Sequence, residues 1–529
     1  MNKAKLAAVA ALLNISASFA GGILTNTNQS IHFLRNPARD ASTQIDAVYT
    51  NPAGLIKLPE GFHFSFNNQS AFQTRTITST YKPFEGFGGN ITKEYEGKAS
   101  APIIPSLQGV YRKGKWALSG SFAVSGGGGK ATFNNGLPSF ESNIAGVPVS
   151  LSNAGISTTQ YSVDQYMRGS SFIYGAQLGG TYEINEMFSA YAGFRLNIVN
   201  NGYEGHLRNI MINPAHPTIN PTGGMMLATD FFNAASTAAN GVVNNLTPLV
   251  EGGAGDFTLA QLVGAGQMTP EMANQLAVGI GKSPEDLNSL TVTGVRTAYA
   301  ASAEANSQNA KNVADKYLDS SQTGWGISPI IGFNFSYDKL NIGIKYEFET
   351  NLNVENKTKR DDTGMFKDGV NTPHDIPALL TIGASYYITP RLQASIGYHH
   401  FFDSNAKMSL ITDPNNPDQK IGKEKYAGST NEYLAGLEYR LDDMFLISAG
   451  GQITRYGVKN HYQSDLSFVC DSYSIGLGGE ITVSPKVKIN IGYFWTNYSD
   501  YTKEPGGGTS KDVFSRTNKV FGAGVDFSF

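Results

Sequence analysis

The 529-residue chain contains a single cysteine, Cys470, so neither a disulfide framework nor a cluster of thiolate metal ligands can be built within it. A lone cysteine at a loop or strand end reads as an inert thiol. Charge is also scarce, at 16% of residues with a formal net charge of -3, and no Lys/Arg run interleaved with aromatics appears. That excludes a nucleic-acid partner. Beyond the N-terminal segment there is no apolar stretch of roughly 18 residues, so no transmembrane helix is expected. What the chain does have is 59 glycines and 11% aromatics, distributed along its whole length, a profile that suits one large β structure.

The N-terminus reads as an export signal over residues 1–20. Lys3 and Lys5 are the basic part, Leu6 to Ile15 the apolar part, and Ser18-Phe19-Ala20 a small-residue cleavage site before Gly21. Two destinations follow, a soluble secreted protein or an outer-membrane barrel. Periodicity decides between them. Val487, Ile489, Ile491, Tyr493 and Trp495 alternate with Lys488, Asn490, Gly492, Phe494 and Thr496, and Phe521, Ala523, Val525, Phe527 and Phe529 alternate with Gly522, Gly524, Asp526 and Ser528. Period two with one apolar face marks half-buried strands, and their length is close to the 9–11 residues or so that cross a bilayer at a tilt. Aromatics near strand ends, at Tyr337, Tyr346, Phe348, Tyr439 and Tyr498, fit an interfacial girdle.

Candidate strands fall at 61–72, 103–112, 115–125, 171–184, 187–201, 324–337, 339–350, 376–388, 391–402, 431–441, 443–454, 471–483, 486–498 and 519–529. Tight turns such as Tyr337-Asp338-Lys339, Ile388-Thr389-Pro390 and Val483-Ser484-Pro485 alternate with long loops, which puts the turns on the periplasmic side and the loops outside. The expectation is an all-β, 14-stranded antiparallel transmembrane barrel over residues 61–529. Closure is required because every backbone polar group in the hydrocarbon needs a partner. The same alternation points Gln177, Arg195, Asn197, Lys345, Glu347, Glu349, Glu438, Arg440, Gln452, Glu480, Lys488 and Asn490 inward, giving a polar lumen.

Residues 21–60 are long and polar enough to plug that lumen; the alternative is a tail lying outside the barrel. At the end of this segment Asn51-Pro52-Ala53-Gly54 reads as a rigid turn, with Pro52 fixing its φ and Gly54 taking a positive one. An Asn-Pro-Ala-Gly turn at this place, a signal peptide, about fourteen strands and a terminal Phe529 together resemble the FadL-type outer-membrane transporters of long-chain fatty acids and other hydrophobic compounds. Further matches are Pro105-Ser106-Leu107 leading into Lys115-Trp116-Ala117-Leu118, Asp375-Ile376-Pro377-Ala378 opening one strand, and Thr389-Pro390-Arg391-Leu392. The resemblance implies an N-terminal hatch inside the barrel, ligand capture by the outer loops, and a kink in the third strand that opens the wall sideways. Gly126, Gly127, Gly128 and Gly129 are the matching place; the other reading is a flexible start to the loop that follows.

The segment 202–323 departs from this pattern and reads as a partly helical extracellular cap. Thr269-Pro270-Glu271 and Ser283-Pro284-Glu285-Asp286 are helix-start signals. Met225, Met226, Leu227, Phe231 and Phe232, with Leu246 and Leu249, either line a greasy entrance or form the cap's own core. Arg195 and Lys345 are inward cations that could meet a ligand carboxylate.

Other motifs are decoys. Gly281-Lys282-Ser283 lacks the upstream glycine of a phosphate loop, since Leu276 stands there, and His399 and His400 are adjacent on a strand and so face opposite sides. Asp413-Pro414-Asn415-Asn416-Pro417-Asp418 lacks the glutamate of a calcium loop. No catalytic residues, metal or cofactor are expected. The expected function is passive diffusion of a hydrophobic, fatty-acid-like small molecule by a monomer in contact with the lipids and lipopolysaccharide of a Gram-negative outer membrane. The alternatives are a general porin, a structural or adhesive barrel, or a haem-binding variant of the same fold.

Overall fold

A computed structural model describes residues 28–529 apart from 414, 415, 426, 427, 459, 461 and 462. The expected signal peptide and the first residues of the expected hatch lie outside the described residues, as does part of the Asp413–Asp418 motif. Fourteen strands make the wall. They are β1 (Gly61–Tyr81), β2 (Thr92–Lys113), β3 (Trp116–Phe133), β4 (Tyr161–Glu183), β5 (Phe188–Ile212), β6 (Lys316–Tyr337) and β7 (Leu340–Glu347), followed by β8 (Leu379–Thr389), β9 (Leu392–Phe401), β10 (Thr430–Arg440), β11 (Phe445–Arg455), β12 (Ser472–Ser484), β13 (Val487–Tyr498) and β14 (Ser510–Ser528). Each pairs antiparallel with its neighbours in sequence, and β14 pairs with both β13 and β1, so the sheet closes on itself. Short strands at the loop end, such as Asn353–Asp361 paired with β6, extend the wall.

The tight turns all fall at one end and the long loops at the other, as the sequence rhythm implies. Several strands are much longer than expected: β2 begins at Thr92 rather than 103, and β5 runs to Ile212 rather than 201. The extra length turns polar residues outward, as in Thr74, Thr76, Thr78 and Thr80 of β1, against a mixed inward face that includes Gln73, Arg75 and Ile77, so the outward apolar alternation stops there. Outside, Leu178, Trp325, Phe333, Ile396, Leu437, Ile447 and Ile491 form an exposed apolar band. Near the turn end it meets a girdle of aromatics that includes the ring pairs Phe62–Tyr111 and Trp116–Tyr182, 4.4 and 4.6 Å apart. Tyr498 does not belong to that girdle. It is buried in the lumen beneath the Arg516 guanidinium, because β13 places it on the inward parity.

The segment 28–58 lies inside the barrel. It contains α1 (Ile31–Arg35), α2 (Ala47–Thr50) and a 3-10 helix, Pro52–Lys57. The expected turn at Asn51-Pro52-Ala53-Gly54 is therefore the start of a short helix, with Pro52 in its first turn where a missing N–H costs nothing. Nor does Gly54 take a positive φ. Its requirement is space: a Cβ there would sit 2.5 Å from Asn51 Nδ2 and 2.6 Å from the Ser42 carbonyl oxygen.

At the loop end, α3 (Pro138–Asn153) is pinned by Glu141, which is buried and accepts from Lys93, from the Tyr95 and Tyr161 hydroxyls, both at 2.7 Å, and from Gln165. The cap contains α4 (Ala228–Leu249), α5 (Leu259–Gly264), α6 (Pro270–Gly279) and α7 (Val292–Asn312). Thr269 caps α6 through Met272 N, and Ser283 and Asp286 form a capping box. Among the described residues no helix is long and apolar enough to cross a membrane, a statement that does not bear on the strands.

Candidate functional site: the filled lumen and a break in its wall

Alternation along the strands turns polar side chains inward, and the N-terminal segment supplies their partners. Gln177, Arg195, Asn197, Lys345, Glu347, Glu438, Gln452, Glu480 and Asn490 are all buried, while Glu349, Arg440 and Lys488 lie half-buried. The wall side chains donate to the plug backbone at several points. Thr181 bonds Pro52 O, Ser189 bonds Ala53 O and Gln177 bonds Val48 O, each at 2.7 Å. Asn51 donates to Asn334 at 2.7 Å and to Ser42 O at 3.0 Å. Irregular backbone at membrane depth is tolerated only where such partners exist.

Charge completes the seating. Arg39 binds Asp46 at 2.7 Å and Glu438 at 2.9 Å, Arg35 also pairs with Glu438, and Asp40 meets His399 at 2.9 Å. Burial by itself would raise the Asp46 pKa. The adjacent Arg39, with lesser help from His32 and a Ser42 hydrogen bond, outweighs it and holds the carboxyl well below the usual range. Helix α1 packs directly on the wall. There Gly478, Gly492 and Gly522 face Arg35, Leu34 and Ile31, and a Cβ at any of them would approach within 2.8 Å or less. Inward glycines thus act as a seat for the helix.

Arg195 and Lys345 are brought together, but not as free cations. Both bind Glu347, at 2.6 Å each, and both lie 4.7 Å from the ring of Tyr49 in the plug; Lys345 also donates to Tyr49 O at 2.7 Å. Burial pushes the Tyr49 hydroxyl up to about 12. The pair works as a clamp on Tyr49, with one carboxylate already seated on it.

The seven apolar cap residues are not one cluster. Phe231 and Phe232, with Met226 beside them, pack with Phe84, Ile144, Tyr161 and Ile212, sealing α4 against α3 and the outer wall. Leu246 and Leu249 belong to a second core with Leu259, Leu262 and Val295, which holds the cap helices together. Met225 and Leu227 are exposed.

The run Gly126–Gly129 lies within β3 and not at the start of a loop. Alternation fails here: residues 125–129 are all buried. Against β4, the five steps from Val124 to Gly129 face only the three from Tyr174 to Ser171, and Gly127 and Gly129 take φ of 92° and 68°. No L side chain sits comfortably there, and a Cβ on Gly127 would lie 2.4 Å from Ser171 O. On the other side the ladder between β2 and β3 is interrupted. Pairing runs Gly97 to Phe133 and Lys98 to Thr132, then resumes only at Leu107 opposite Phe122. The unpaired stretch of β2, residues 99–106, contains Pro102 and Pro105, which have no N–H to give. Sequence reasoning quoted Pro105 as part of a family match but did not read it, with Pro102, as a break, because the strand was expected to start only at 103. A small cavity lined by Asn28, Gln29, Tyr49, Ser106, Gln108, Ser121 and Ser125 lies against this break, between plug and wall.

No family model matches the chain, and no curated protein is similar to it in sequence. Solved structures are similar in three dimensions. A Pseudomonas aeruginosa FadL homologue matches over 96% of this chain and 98% of its own, with a TM-score of 0.55 at 13% identity. The fold is the FadL-type barrel. The Ralstonia pickettii toluene transporter TbuX, with a TM-score of 0.48 at 14% identity, covers 94% of this chain and 100% of its own, and the CymD monoaromatic hydrocarbon channel, at 0.45 and 14%, covers 94% and 98%. The filled lumen and the interrupted seam described above are therefore features of this chain within that fold.

Proposed function

We propose that the protein is an outer-membrane channel, acting as a monomer without catalysis, that lets small hydrophobic compounds such as long-chain fatty acids pass inward by diffusion. The observation that carries this reading is the combination of a filled lumen with a broken wall: Pro102 and Pro105 on one strand and Gly126–Gly129 on the next leave a seam without ladder bonds beside a cavity. A plug held by this many buried contacts leaves an apolar solute no straight aqueous path. The seam offers a sideways one into the bilayer, the environment such a solute prefers.

The difficulty this solves is the polar lipopolysaccharide layer. Each CH₂ removed from water is worth roughly 0.8 kcal/mol, so an apolar molecule can be captured at the outer loops by area alone. Segment 28–58 acts as the hatch, with Asn51, Pro52, Ala53 and Gly54 at its anchor, and Gly126–Gly129 as the kink of the exit. Porin behaviour is disfavoured by the buried ion pairs that fill the barrel at Arg35, Arg39 and Glu438. The test is uptake of labelled oleate and labelled toluene by cells with and without the protein. Faster uptake of at least one supports the reading; equal rates for both would remove it.

A further inference from the structure

The seam between β2 and β3 is fastened unequally at its two ends. On the turn side seven residue pairs, from Leu107–Phe122 to Lys113–Trp116, join the strands; on the loop side two pairs do, Gly97–Phe133 and Lys98–Thr132. A ladder of two rungs is a weak fastening, because each hydrogen bond contributes little net of the water it replaces. What lies beyond those rungs therefore decides whether the outer end stays shut.

Glu141 lies there. It belongs to the first turn of α3, the helix that joins β3 to β4, and it is buried. Its carboxylate accepts from Lys93 and, at 2.7 Å, from the Tyr95 hydroxyl, both on β2. It also accepts from the Tyr161 hydroxyl at 2.7 Å and from Gln165 at 3.0 Å, both on β4. β2 and β4 are not ladder partners, since β3 runs between them. Tyr95 is two residues beyond Gly97, and Gln165 two beyond Met167, the partner of Phe133, so the carboxylate sits directly above the last rungs. Lys93 adds a second link across the same gap: its ammonium lies 4.7 Å from the Phe87 ring and 5.7 Å from the Tyr161 ring. Burial, and after it the Glu141 carboxylate, raise the pKa of both tyrosine hydroxyls far above the usual range, so each remains a donor.

We propose that Glu141 is the clasp of the seam: it ties β2 to β4 over the outer end of the interrupted ladder and so sets how far the strands part, and with that the bulk of the solute that passes. The inference rests on the transport reading above and adds what limits it. Glu141 is a positioning residue, acting through the two strands it holds. Four donors converging on one carboxylate are charge-assisted and reinforce one another, so they resist the separation of β2 from β4 as two rungs cannot. Loss of the carboxylate leaves α3 in place, because Ile144, Ala145 and Leu151 stay packed in their apolar cluster and Ser139 N still donates to Asp465 at 2.8 Å. The strands are freed while the fold is kept.

The test uses the full-length protein carrying C470A and reads the seam in two ways. Nitroxide labels at S100C and K130C, both exposed and on opposite sides of the gap, report its width by electron paramagnetic resonance. Uptake of labelled pyrene relative to labelled toluene reports what passes. E141A is expected to lengthen and broaden the label separation and to raise the pyrene-to-toluene ratio several-fold. Y95F and Y161F, which cut one side each, should move both readouts in the same direction by less. A disulfide between K98C and T132C, which face each other on a last rung, should return the E141A ratio to its starting value when oxidised and not when reduced. A damaged α3 would not respond to that lock. Either readout unmoved by E141A, or a raised ratio that the disulfide fails to reverse, would overturn the clasp and leave the transport reading standing. Uptake of both compounds no faster than in cells lacking the protein would remove the transport reading, while the label separation still decides whether Glu141 ties the strands.

Discussion

At the scale of the residue, the account depends on a few buried contacts that are costly to leave incomplete. Arg39 neutralises Asp46 and shares Glu438 with Arg35, all of them out of water. Removing one member of such a set strands the rest, at a cost of about 3–5 kcal/mol. Arg39→Met is therefore expected to unseat the plug while the barrel stays folded, and single-channel conductance, nearly silent in the wild type, should rise; an unchanged trace would mean that the segment does not block the lumen. Gly54 makes a steric prediction. With Asn51 Nδ2 and Ser42 O within 2.6 Å of any added Cβ, Gly54→Val must displace either the 3-10 helix or the strap before it. Vancomycin sensitivity of cells carrying this variant should increase, whereas Pro52→Ala, which alters only a first-turn position, should have a much smaller effect.

At the scale of the element, the loop between β7 and β8 holds a buried histidine that makes its stability depend on pH. His374, between β7 and β8, is buried with Nε2 unbonded, and burial lowers its pKa to about 4. In the unfolded chain the same ring takes a proton near pH 6.5. The folded loop cannot bind that proton until the pH falls toward 4, so its stability is complete above about 6.5 and declines as the pH drops through that interval. With the intrinsic pH dependence of amide exchange divided out, protection factors in residues 353–378 should fall between pH 6.5 and 4, and His374→Phe should abolish the fall. Protection factors independent of pH would contradict the burial.

The same scale shows what the sequence could and could not reveal. Alternation placed the membrane-spanning parts of the strands and their inward polar residues, since lipid on one side and a polar plug on the other impose period two. It missed the outer halves of β1, β2 and β5, where the outward face turns polar and the inward face mixes polar residues with apolar ones such as Ile77 and Ile212. Asn51-Pro52-Ala53-Gly54 was visible as a special place, but a proline can start a 3-10 helix as well as a turn, and only the position of Ser42 explains the glycine. Likewise Arg195, Lys345 and Glu347 all lie inward, as alternation implies; Lys345 and Glu347 are two residues apart on one strand, but the approach of Arg195 to Glu347 depends on strand register that no linear pattern encodes. Five of the seven apolar cap residues divide between two cores for the same reason: helix α4 is long enough to touch the wall at one end and α5 to α7 at the other.

At the scale of the whole molecule, the proposed sideways release rests on a closed barrel with an apolar exterior, a lumen filled by its own chain and an unladdered seam between β2 and β3. The glycine run is what keeps β3 out of register, by two residues, between Val124 and Gly129. Deleting Gly127 and Gly128 would bring β3 back into step with β4 and allow it to straighten toward β2, without touching plug or cap. The measurement that tests the central claim most directly is uptake of the labelled hydrophobic compound by cells carrying this deletion, with the amount of protein in the outer membrane matched to wild type. Uptake falling to the level of cells without the protein is the predicted result; uptake undiminished by the deletion would contradict release through the seam.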